Sequence, residues 1–301
     1  MNKNLFSDPN RNQEKIKSQF KPGQNKLFFL CSSSDVGVMR NLGKNGSAFG
    51  PKVILNQFKE LHFHQEQSFK LAEVSSQTLE FENFDEAQLL ESQKIAEILK
   101  TQSSQHFVHL GGGHDHIYTL LKALELKGYK KIGVINIDPH ADTRVSETNH
   151  SGTPFRQFAQ EFKNEFHLIQ YGLKALANGQ STLSKIKTKQ TILWHEELAN
   201  ETKHFEQLPA VLNKVAKEYQ STDAILVLSL DCDSVESSTM SAVSAVAHDG
   251  IPTHHINMMF DWFQKLDNKN KITGIYEYNP LFDNLGSRGA RFIAQLIYRL
   301  L

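Results

Sequence analysis

The sequence lacks the features that would assign it to several special classes of protein. Two of its 301 residues are cysteines, Cys31 and Cys232, which is too few for a scaffold built on disulfides. Its apolar runs, such as residues 224–228, are far shorter than the roughly 20 residues that span a bilayer. The first residues contain no apolar segment of the kind that secretory signals carry. From these absences we expect a soluble, cytoplasmic protein that does not act at a membrane.

An excess of charge of either sign is also missing. Lysine and arginine number 33 and aspartate and glutamate number 33, so the formal net charge is zero. Sequence-independent binding of nucleic acids needs many cationic side chains facing phosphates, so this balance argues against such a partner. Hydrophobic residues make up 39% of the chain and charged residues 22%, which is enough apolar material for a core and excludes general disorder.

Apolar runs alternate with longer amphipathic segments along the chain. The first 25 residues are polar and contain Pro9, Pro22 and Gly23, which predicts an irregular N-terminal arm over residues 1–25. No linker divides residues 26–301, which we expect to form a single domain. The patterns predict strands at 27–31, 107–110, 131–137, 168–171, 191–194, 224–230 and 272–276. They predict helices at 51–62, 84–100, 117–127, 155–166, 205–219, 254–266 and 288–301. This alternation favours a three-layer α/β/α fold with a mostly parallel central sheet.

Three of the predicted strands run directly into clusters of polar residues. In chain order, these are a glycine triplet with His114; Asp138, His140 and Asp142; and Asp231 with Asp233. Each cluster taken alone could be a turn or an ordinary polar strand end. Because ligands bind beyond the carboxyl ends of strands in open α/β sheets, we expect the three clusters to converge on one site. Four carboxylates there would repel one another unless divalent cations neutralised them, and oxygen-rich ligand sets with some imidazole suit Mn²⁺.

These clusters resemble the signature elements of the ureohydrolases, the family of arginase, agmatinase and formimidoylglutamase. The elements are a Gly-Gly-x-His turn, an Asp-x-His-x-Asp strand end and a Ser-x-Asp-x-Asp strand end, here in the family's order and with similar spacing. Residues 37–51 look like the family's glycine-rich N-terminal segment, and Glu277 begins a Glu-x-Asn-Pro element. The resemblance covers most of the chain and implies an arginase-like fold.

The resemblance also implies a centre with two Mn²⁺ ions. Its ligands would be His114, Asp138, His140, Asp142, Asp231 and Asp233. Two of them, Asp138 and Asp231, would bridge the ions, and a hydroxide between the ions would attack the trigonal carbon of an amidine or guanidine. Asp142 would also move a proton, and Glu277 would bind the cationic nitrogens of the substrate in the catalytic step.

The loop after Asp142 resembles that of formimidoylglutamases rather than arginases, because residues 150–156 read HSGTPFR. The substrate implied is a dicarboxylate amidine, N-formimino-L-glutamate, hydrolysed to L-glutamate and formamide in histidine degradation. Arg144 and Arg156 offer planar bidentate donors for its two carboxylates, although either arginine could instead form a structural ion pair. His150 lies in the region where the family places a proton-transferring histidine and would protonate the departing amine.

Alternative functions stay open on the sequence alone. The nearest is another ureohydrolase that releases urea from a guanidine such as arginine, agmatine or guanidinobutyrate. A relative that has lost catalysis and only binds metal is disfavoured, because the full ligand set is present together with Glu277. A single-zinc deacetylase on a related fold would not need the second pair of aspartates. Relatives commonly form dimers, trimers or hexamers, so the resemblance allows a homo-oligomer.

Some residues depart from the family pattern or are ambiguous. Residues 234–242 lack the prolines and the glycine that are usual after the second aspartate pair, so we expect this loop to be less constrained. Cys232 would be able to pair with Cys31 if their strands were neighbours. His116 lies two residues after His114, just past the Gly-Gly-x-His turn at residues 111–114, and could be functional or structural.

Overall fold

The computed structural model of the protein describes residues 25–62, 68–184, 186–198, 201–268 and 270–301. The arm predicted at 1–25 lies outside these residues except for Asn25, which begins the first strand. The strands are β1 (Asn25–Ser32), β2 (Ser68–Glu73), β3 (Ser104–Gly111), β4 (Lys131–Ile137), β5 (Glu165–Leu173), β6 (Lys189–Trp194), β7 (Ala224–Asp231) and β8 (Lys271–Tyr276). The helices are α1 (Val36–Arg40), α2 (Gly50–Lys59), α3 (Gln77–Glu82), α4 (Phe84–Thr101), α5 (His116–Lys127), α6 (Pro154–Glu161), α7 (His195–Leu198), α8 (Glu201–Glu218), α9 (Thr253–Lys265) and α10 (Arg288–Tyr298).

The eight strands form one sheet in the order β2-β1-β3-β8-β7-β4-β5-β6, and each neighbouring pair is parallel. The predicted α/β class with a parallel central sheet is confirmed. β8, the last of these strands along the chain, lies in the middle of the sheet between β3 and β7. It joins the group β2-β1-β3 to the group β7-β4-β5-β6. The carboxyl ends of all eight strands therefore lie at one edge of the sheet.

Two hydrophobic cores cover the two faces of the sheet, because successive residues along a strand point to opposite sides. In β1, Leu27 and Phe29 belong to one core, and Phe28 and Leu30 belong to the other. The first core includes side chains from α2, α8, α9 and α10, and the second includes side chains from α4, α5 and α6. The predicted three-layer α/β/α arrangement is thus confirmed. Among the helices of the described ranges, none is long and apolar enough to cross a membrane.

Local signals in the sequence set the ends of the helices that flank β3. α4 begins after Asn83, whose side chain accepts a hydrogen bond from the backbone N–H of Glu86, and Asp85 and Glu86 are favourable in its first turn. α5 ends at Lys127 and is followed by Gly128, whose φ of 107° costs a glycine little. Because α5 begins at His116, the turn that carries His114 is held between β3 and the start of a helix.

The structure corrects the predicted elements at several points. β2 did not show in the sequence because it is an edge strand whose polar residues Lys70 and Glu73 obscure an apolar pattern. The helix predicted at 155–166 is too long, since α6 ends at Glu161 and Phe166 lies in β5. The helices α1, α3 and α7 contain at most six residues, which is too short for a helical periodicity to be recognised.

The two cysteines do not lie on neighbouring strands. Cys31 is in β1 and Cys232 directly follows β7, and both β3 and β8 lie between these two strands. Three strand spacings amount to about 14 Å, whereas the Cα atoms of a disulfide are about 4–7 Å apart. Both cysteines are free and buried. The condition for their pairing is therefore not met.

Candidate active site

Four strands that are neighbours in the sheet, β3, β8, β7 and β4, end at one place. Each of these ends contributes polar side chains to that place. In sheet order, the contributions are His114 after β3, Glu277 after β8, Asp231 and Asp233 at the end of β7, and Asp138, His140 and Asp142 after β4. The three polar clusters of the sequence therefore converge, and Glu277 joins them.

His114 lies at the centre of a first group of potential metal ligands. Its Nδ1 atom is 3.1 Å from Oδ2 of Asp138, 2.8 Å from Oδ2 of Asp142 and 3.2 Å from Oδ2 of Asp231. The four side chains are buried, and their ligand atoms lie within 4.8 Å of one another. His114 Nδ1 has no hydrogen-bond partner of acceptable geometry. One nitrogen and three carboxylate oxygens thus face one another in an arrangement that suits a cation.

A second group shares one residue with the first. His140 Nδ1 is 3.1 Å from Oδ2 of Asp233 and 3.5 Å from Oδ1 of Asp138. Asp138 therefore has one carboxylate oxygen in each group. Asp231 has Oδ2 in the first group, while its Oδ1 accepts the backbone N–H of Asp233 at 2.9 Å. The geometry assigns Asp138 to both groups and Asp231 to the first group.

The imidazole of His114 is fixed by its neighbours. Its Nε2 lies 3.0 Å from the hydroxyl oxygen of Ser229, and its ring stacks on Tyr276 with centroids 5.0 Å apart. The edge of Phe155 packs against the same ring. The backbone N–H of His114 donates to Oε1 of Glu277 at 2.9 Å. These contacts aim Nδ1 at the carboxylates, as outer contacts of a metal ligand do.

Two residues of the site have a strained backbone. The φ angles of Asp142 and Glu277 are 51° and 66°, in the left-handed region that residues other than glycine rarely adopt. Such a conformation costs on the order of 1 kcal/mol or more and persists only where the surroundings enforce it. At Glu277, the backbone N–H donates to the carbonyl of Gly112, which lies in the turn that carries His114. The strain coincides with side chains that face the metal ligands.

The buried carboxylates of this site need positive charge nearby, either from metal ions or from added protons. Burial lowers the pKa of His140, but Asp233 and Asp138 outweigh burial and raise it to about 12. The carboxylates around His114 likewise overcome burial and raise its pKa well above the usual range. Burial and the neighbouring Asp138 raise the pKa of Asp142 to about 6. Without metal, protons on the two imidazoles therefore supply the positive charge that the carboxylates need.

The residues present fit two divalent cations. The set contains four carboxylates and two imidazoles in two groups that share Asp138. It also contains buried polar atoms without a hydrogen-bond partner, His114 Nδ1 and Asp233 Oδ1. Oxygen-rich sets with some imidazole bind cations such as Mn²⁺ in preference to metals that select thiolates. The arrangement is that of a dinuclear metal site.

Metal binding at this site is expected to weaken as the pH falls. Each ion displaces the proton from an imidazole, His114 or His140, so affinity rises by about tenfold per pH unit for each proton released. Between pH 8 and pH 6 we expect the affinity for each Mn²⁺ ion to fall by about 100-fold. Calorimetry in buffers of different ionisation enthalpy measures the protons released. His140→Asn should release about one proton fewer than the wild type, and an affinity that does not change with pH would contradict the prediction.

A cavity of about 250 Å³ adjoins the metal ligands. His140, Asp142, Asp231, Asp233 and Glu277 line it, together with Asn41, Arg144 and Ser151. Nη1 of Arg144 donates to Oδ1 of Asn41 at 2.7 Å, and Nδ2 of Asn41 donates to the hydroxyl of Ser151 at 3.0 Å. The sequence did not single out Asn41, which lies in the glycine-rich segment at 37–51, 103 positions before Arg144. The resemblance of this segment to the family's N-terminal segment was the signal in the sequence that could have indicated a role for Asn41.

Arg156, predicted to bind substrate, is directed elsewhere. Its Nε donates to the carbonyl of Thr143 at 2.7 Å, and its Nη2 donates to the hydroxyl of Ser184 at 2.8 Å. Within the described part of the chain, Arg156 does not line the cavity that Arg144 lines. Its guanidinium holds two loops together, a structural role, but it does so through hydrogen bonds to carbonyl and hydroxyl oxygens and not through the ion pair that the alternative named. This placement does not support a direct contact with substrate.

His150, predicted to protonate the departing amine, is buried next to the cavity wall. Its Nδ1 accepts the backbone N–H of Gly152 at 3.0 Å, and the following residue, Ser151, lines the cavity. Burial, Arg144 and Arg40 lower the pKa of His150 to about 4. A pKa lowered in this way favours the neutral form of the ring near pH 7. The transfer of a proton from His150 to the departing amine stays a prediction.

The loop at residues 234–242 is anchored in spite of its missing prolines. Met240 and Ala242 are fully buried, and the carbonyl of Ala242 accepts the backbone N–H of Asn279 at 2.7 Å. Val235 forms an isolated bridge with Ile251. Apolar packing and backbone hydrogen bonds thus hold this loop in place. The prediction that it is less constrained, made from its missing prolines and glycine, is wrong. The residues that follow, Ser244 and Ala245, line the cavity.

Comparison with known proteins agrees with this site. The model of the arginase family matches residues 34–301. The formimidoylglutamase of Klebsiella pneumoniae is 28% identical over 295 residues, which cover 95% of this chain and 88% of the relative. Among solved structures, the Trypanosoma cruzi formiminoglutamase with Mn²⁺ has a TM-score of 0.78 at 22% identity and covers 95% of this chain and 96% of its own. The formimidoylglutamase of Bacillus subtilis has a TM-score of 0.82 at 17% identity, with 100% of this chain and 94% of its own covered. By its ligand clusters, its fold and this family match, the chain belongs to the arginase family.

Proposed function

We propose that the protein is a manganese-dependent hydrolase that converts N-formimino-L-glutamate and water to L-glutamate and formamide, a step of histidine degradation. Water adds to the formimino carbon, the bond from that carbon to the α-nitrogen breaks, and the departing amine takes up a proton. The observation that carries the proposal is one cavity lined by metal-ligating carboxylates, by Glu277 and by the guanidinium of Arg144. Relatives named formimidoylglutamase support the choice of substrate.

The two groups of ligands would hold one Mn²⁺ ion each. His114, Asp138, Asp142 and Asp231 form the first group, and Asp138, His140 and Asp233 form the second. A pair of such ions, when bound, lowers the pKa of water and so supplies a nucleophile near neutral pH. In this assignment Asp138 would contribute one carboxylate oxygen to each group.

Glu277 and Asp142 would act on the substrate from the protein side. The carboxylate of Glu277 is held by the backbone N–H of His114 and is free to accept hydrogen bonds from the amidinium nitrogens. Burial and the nearby Asp231 raise the pKa of Glu277 well above its usual range. A cationic amidinium bound beside Glu277 would lower this pKa again and favour the charged carboxylate. Asp142 lines the cavity, and its Oδ2 lies 2.8 Å from Nδ1 of His114, so its carboxylate is placed to take a proton on the substrate side and pass it on.

Arg144 would bind a carboxylate of the substrate. Its side chain is exposed to the cavity and is oriented by Asn41, so its remaining N–H groups are available. A guanidinium matches the planar geometry of a carboxylate, whereas agmatine would offer it only a second cation. The charge of the cavity thus favours an anionic amidine over a guanidine with a distal amine.

The identity of the product tests this function. Mn²⁺-loaded protein is incubated with formiminoglutamate, arginine, agmatine and guanidinobutyrate, and both formamide and urea are measured. We expect formamide from formiminoglutamate and no comparable release of urea. Urea from a guanidine, without formamide, would instead identify another ureohydrolase. Absence of turnover on all four compounds would reject both activities.

Replacing Arg144 by alanine is expected to raise KM for formiminoglutamate by about tenfold, the effect of losing one charge-assisted contact. KM for an N-formimino monocarboxylate such as formiminoglycine should change less, because that substrate has one carboxylate fewer to bind. Arg156→Ala is the matched control. It should lower the melting temperature and affect both substrates alike. Equal effects of Arg144→Ala on the two substrates would contradict carboxylate recognition by Arg144.

A further inference from the structure

A second cluster of buried acidic and imidazole side chains lies next to the turn that carries His114. It consists of Glu80 in α3, Asp115 in the turn before α5, and His116 at the start of α5. These side chains each place one ligand atom within 4.8 Å of the others, and their residues are at most 2% exposed. None of them belongs to the two groups around His114 and His140.

Asp115 is the unusual member of this cluster. Both of its carboxylate oxygens are buried and have no hydrogen-bond partner, and the same is true of Oε1 of Glu80. A Cβ atom added at Gly37 would come within 2.1 Å of Cγ of Asp115, so the backbone at Gly37 packs directly on the carboxylate. An ionised carboxylate in such surroundings is strongly unfavourable unless a positive partner compensates it.

The other buried carboxylates nearby have donors of their own. Oε1 of Glu91 accepts the hydroxyls of Ser32 and Thr119, both at 2.6 Å. Asp35 accepts the side-chain amide of Gln77 and the backbone N–H of Gly46. Within the cluster, Oε2 of Glu80 accepts the hydroxyl of Ser34 at 2.6 Å, so the acceptors that stay open are Oε1 of Glu80 and both carboxylate oxygens of Asp115.

His116 provides a further sign that a positive ion fits here. Its Nδ1 is 3.1 Å from both carboxylate oxygens of Glu91, and its Nε2 is 3.2 Å from the carbonyl oxygen of Ser34. If the His116 ring carries one proton, on Nδ1, it donates to Glu91. The lone pair of Nε2 then faces the lone pairs of the Ser34 carbonyl oxygen, which is unfavourable. Nε2 also lies 3.9 Å from Oδ2 of Asp115. A cation bound by these acceptors would remove their mutual repulsion.

We propose that Glu80, Asp115, His116 and the carbonyl oxygen of Ser34 form a third divalent-cation site, separate from the dinuclear site. Two carboxylates, one imidazole and one carbonyl are ligands that suit Mn²⁺. Metal–oxygen distances of about 2.1–2.5 Å allow ligand atoms up to about 5 Å apart across one ion. The 4.8 Å spread of the cluster is compatible with this span.

The bound ion would have a positioning role. Ser34 ends the connection from β1, and the next residues lead through α1 to Asn41 in the cavity. Asp115 follows His114, the central ligand of the dinuclear site, and Glu80 belongs to α3. The third ion would therefore link α3, the cavity wall and the turn that carries His114.

Anomalous diffraction from wild-type crystals grown with excess Mn²⁺ tests the site by its position. We expect a peak among Glu80, Asp115 and His116 in addition to the peaks of the dinuclear site. Each peak is assigned by the residues around it, so the result does not depend on which substrate the enzyme hydrolyses. A map with no peak at this cluster would overturn the proposal and would favour a doubly protonated His116.

Metal counts in matched variants give a second test. In equilibrium dialysis against Mn²⁺, Glu80→Gln should bind one ion fewer per chain than the wild type, since Gln keeps the shape but loses the charge. Glu82→Gln, on the same helix but exposed, should bind as many ions as the wild type. Equal counts for Glu80→Gln and the wild type would overturn the proposal. The diffraction test needs no variant and stands if Glu80→Gln fails to fold.

Discussion

Asp138→Asn is expected to abolish hydrolysis and to release metal in the same step. Asp138 has one oxygen in each group of ligands, and an amide supplies neither the negative charge nor the second anionic oxygen. Losing about 4 kcal/mol of transition-state stabilisation corresponds to about 10³-fold in rate, and we expect a loss of at least this size. Steady-state kinetics with added Mn²⁺, together with metal analysis of the dialysed protein, measures the two effects.

Asp267→Asn makes the matched control for this change. Asp267 is exposed and precedes the amino end of β8, whereas the site lies at the carboxyl ends of the strands, so its variant should keep wild-type activity and metal content. An Asp138→Asn protein that bound two ions and retained turnover would reject the assignment of this residue to both groups. Asp231→Asn should also lose metal, because Asp231 lies 3.2 Å from the central nitrogen of His114.

Glu277→Gln is expected to lower kcat/KM for the amidine substrate by about 10–100-fold while the protein keeps its metal. The amide still accepts the backbone N–H of His114, so the local structure is preserved. It no longer carries the charge that pairs with an amidinium, and a hydrogen bond to a charged group contributes about 1.5–3 kcal/mol. The separation of activity from metal content distinguishes this variant from Asp138→Asn.

Glu147→Gln, a change of the same kind at an exposed position of the loop after Asp142, should leave both activity and metal content unchanged. If Glu277→Gln instead lost its metal, Glu277 would be acting through the position of His114 rather than on the substrate. Wild-type kcat/KM in Glu277→Gln would show that its charge is not used.

The convergence of the polar clusters could be predicted from the sequence because the position of each cluster at a strand end is encoded locally. Asp138, His140 and Asp142 directly follow a strand that is recognisable as an apolar run, and the same is true of Asp231 and Asp233. A parallel sheet then brings such ends together without further information. The class of fold followed from the same runs, whereas the polar edge strand β2 and the helices of six residues or fewer left no comparable pattern.

The substrate side of the cavity could not be predicted in this way. Whether a guanidinium faces a cavity or a carbonyl depends on loops that are distant in the sequence, as the bonds of Arg156 to Thr143 and Ser184 show. The pKa of His150 depends on its burial and on Arg144 and Arg40, which local sequence does not report. Asn41 acts through a contact across 103 positions, and only the folded chain reveals it.

The place of β8 in the sheet has a consequence for synthesis of the protein. His114 belongs to the group of strands β2-β1-β3, whereas Asp138, His140, Asp142, Asp231 and Asp233 belong to β7-β4-β5-β6, and β8 pairs with both β3 and β7. A nascent chain that has not yet released β8 from the ribosome holds the ligands on two unjoined halves. We expect metal capture to be a late event, after residues 271–276 have inserted between β7, which ends 40 positions earlier, and β3, which ends 160 positions earlier. The cell would thus load metal only into chains whose sheet is complete.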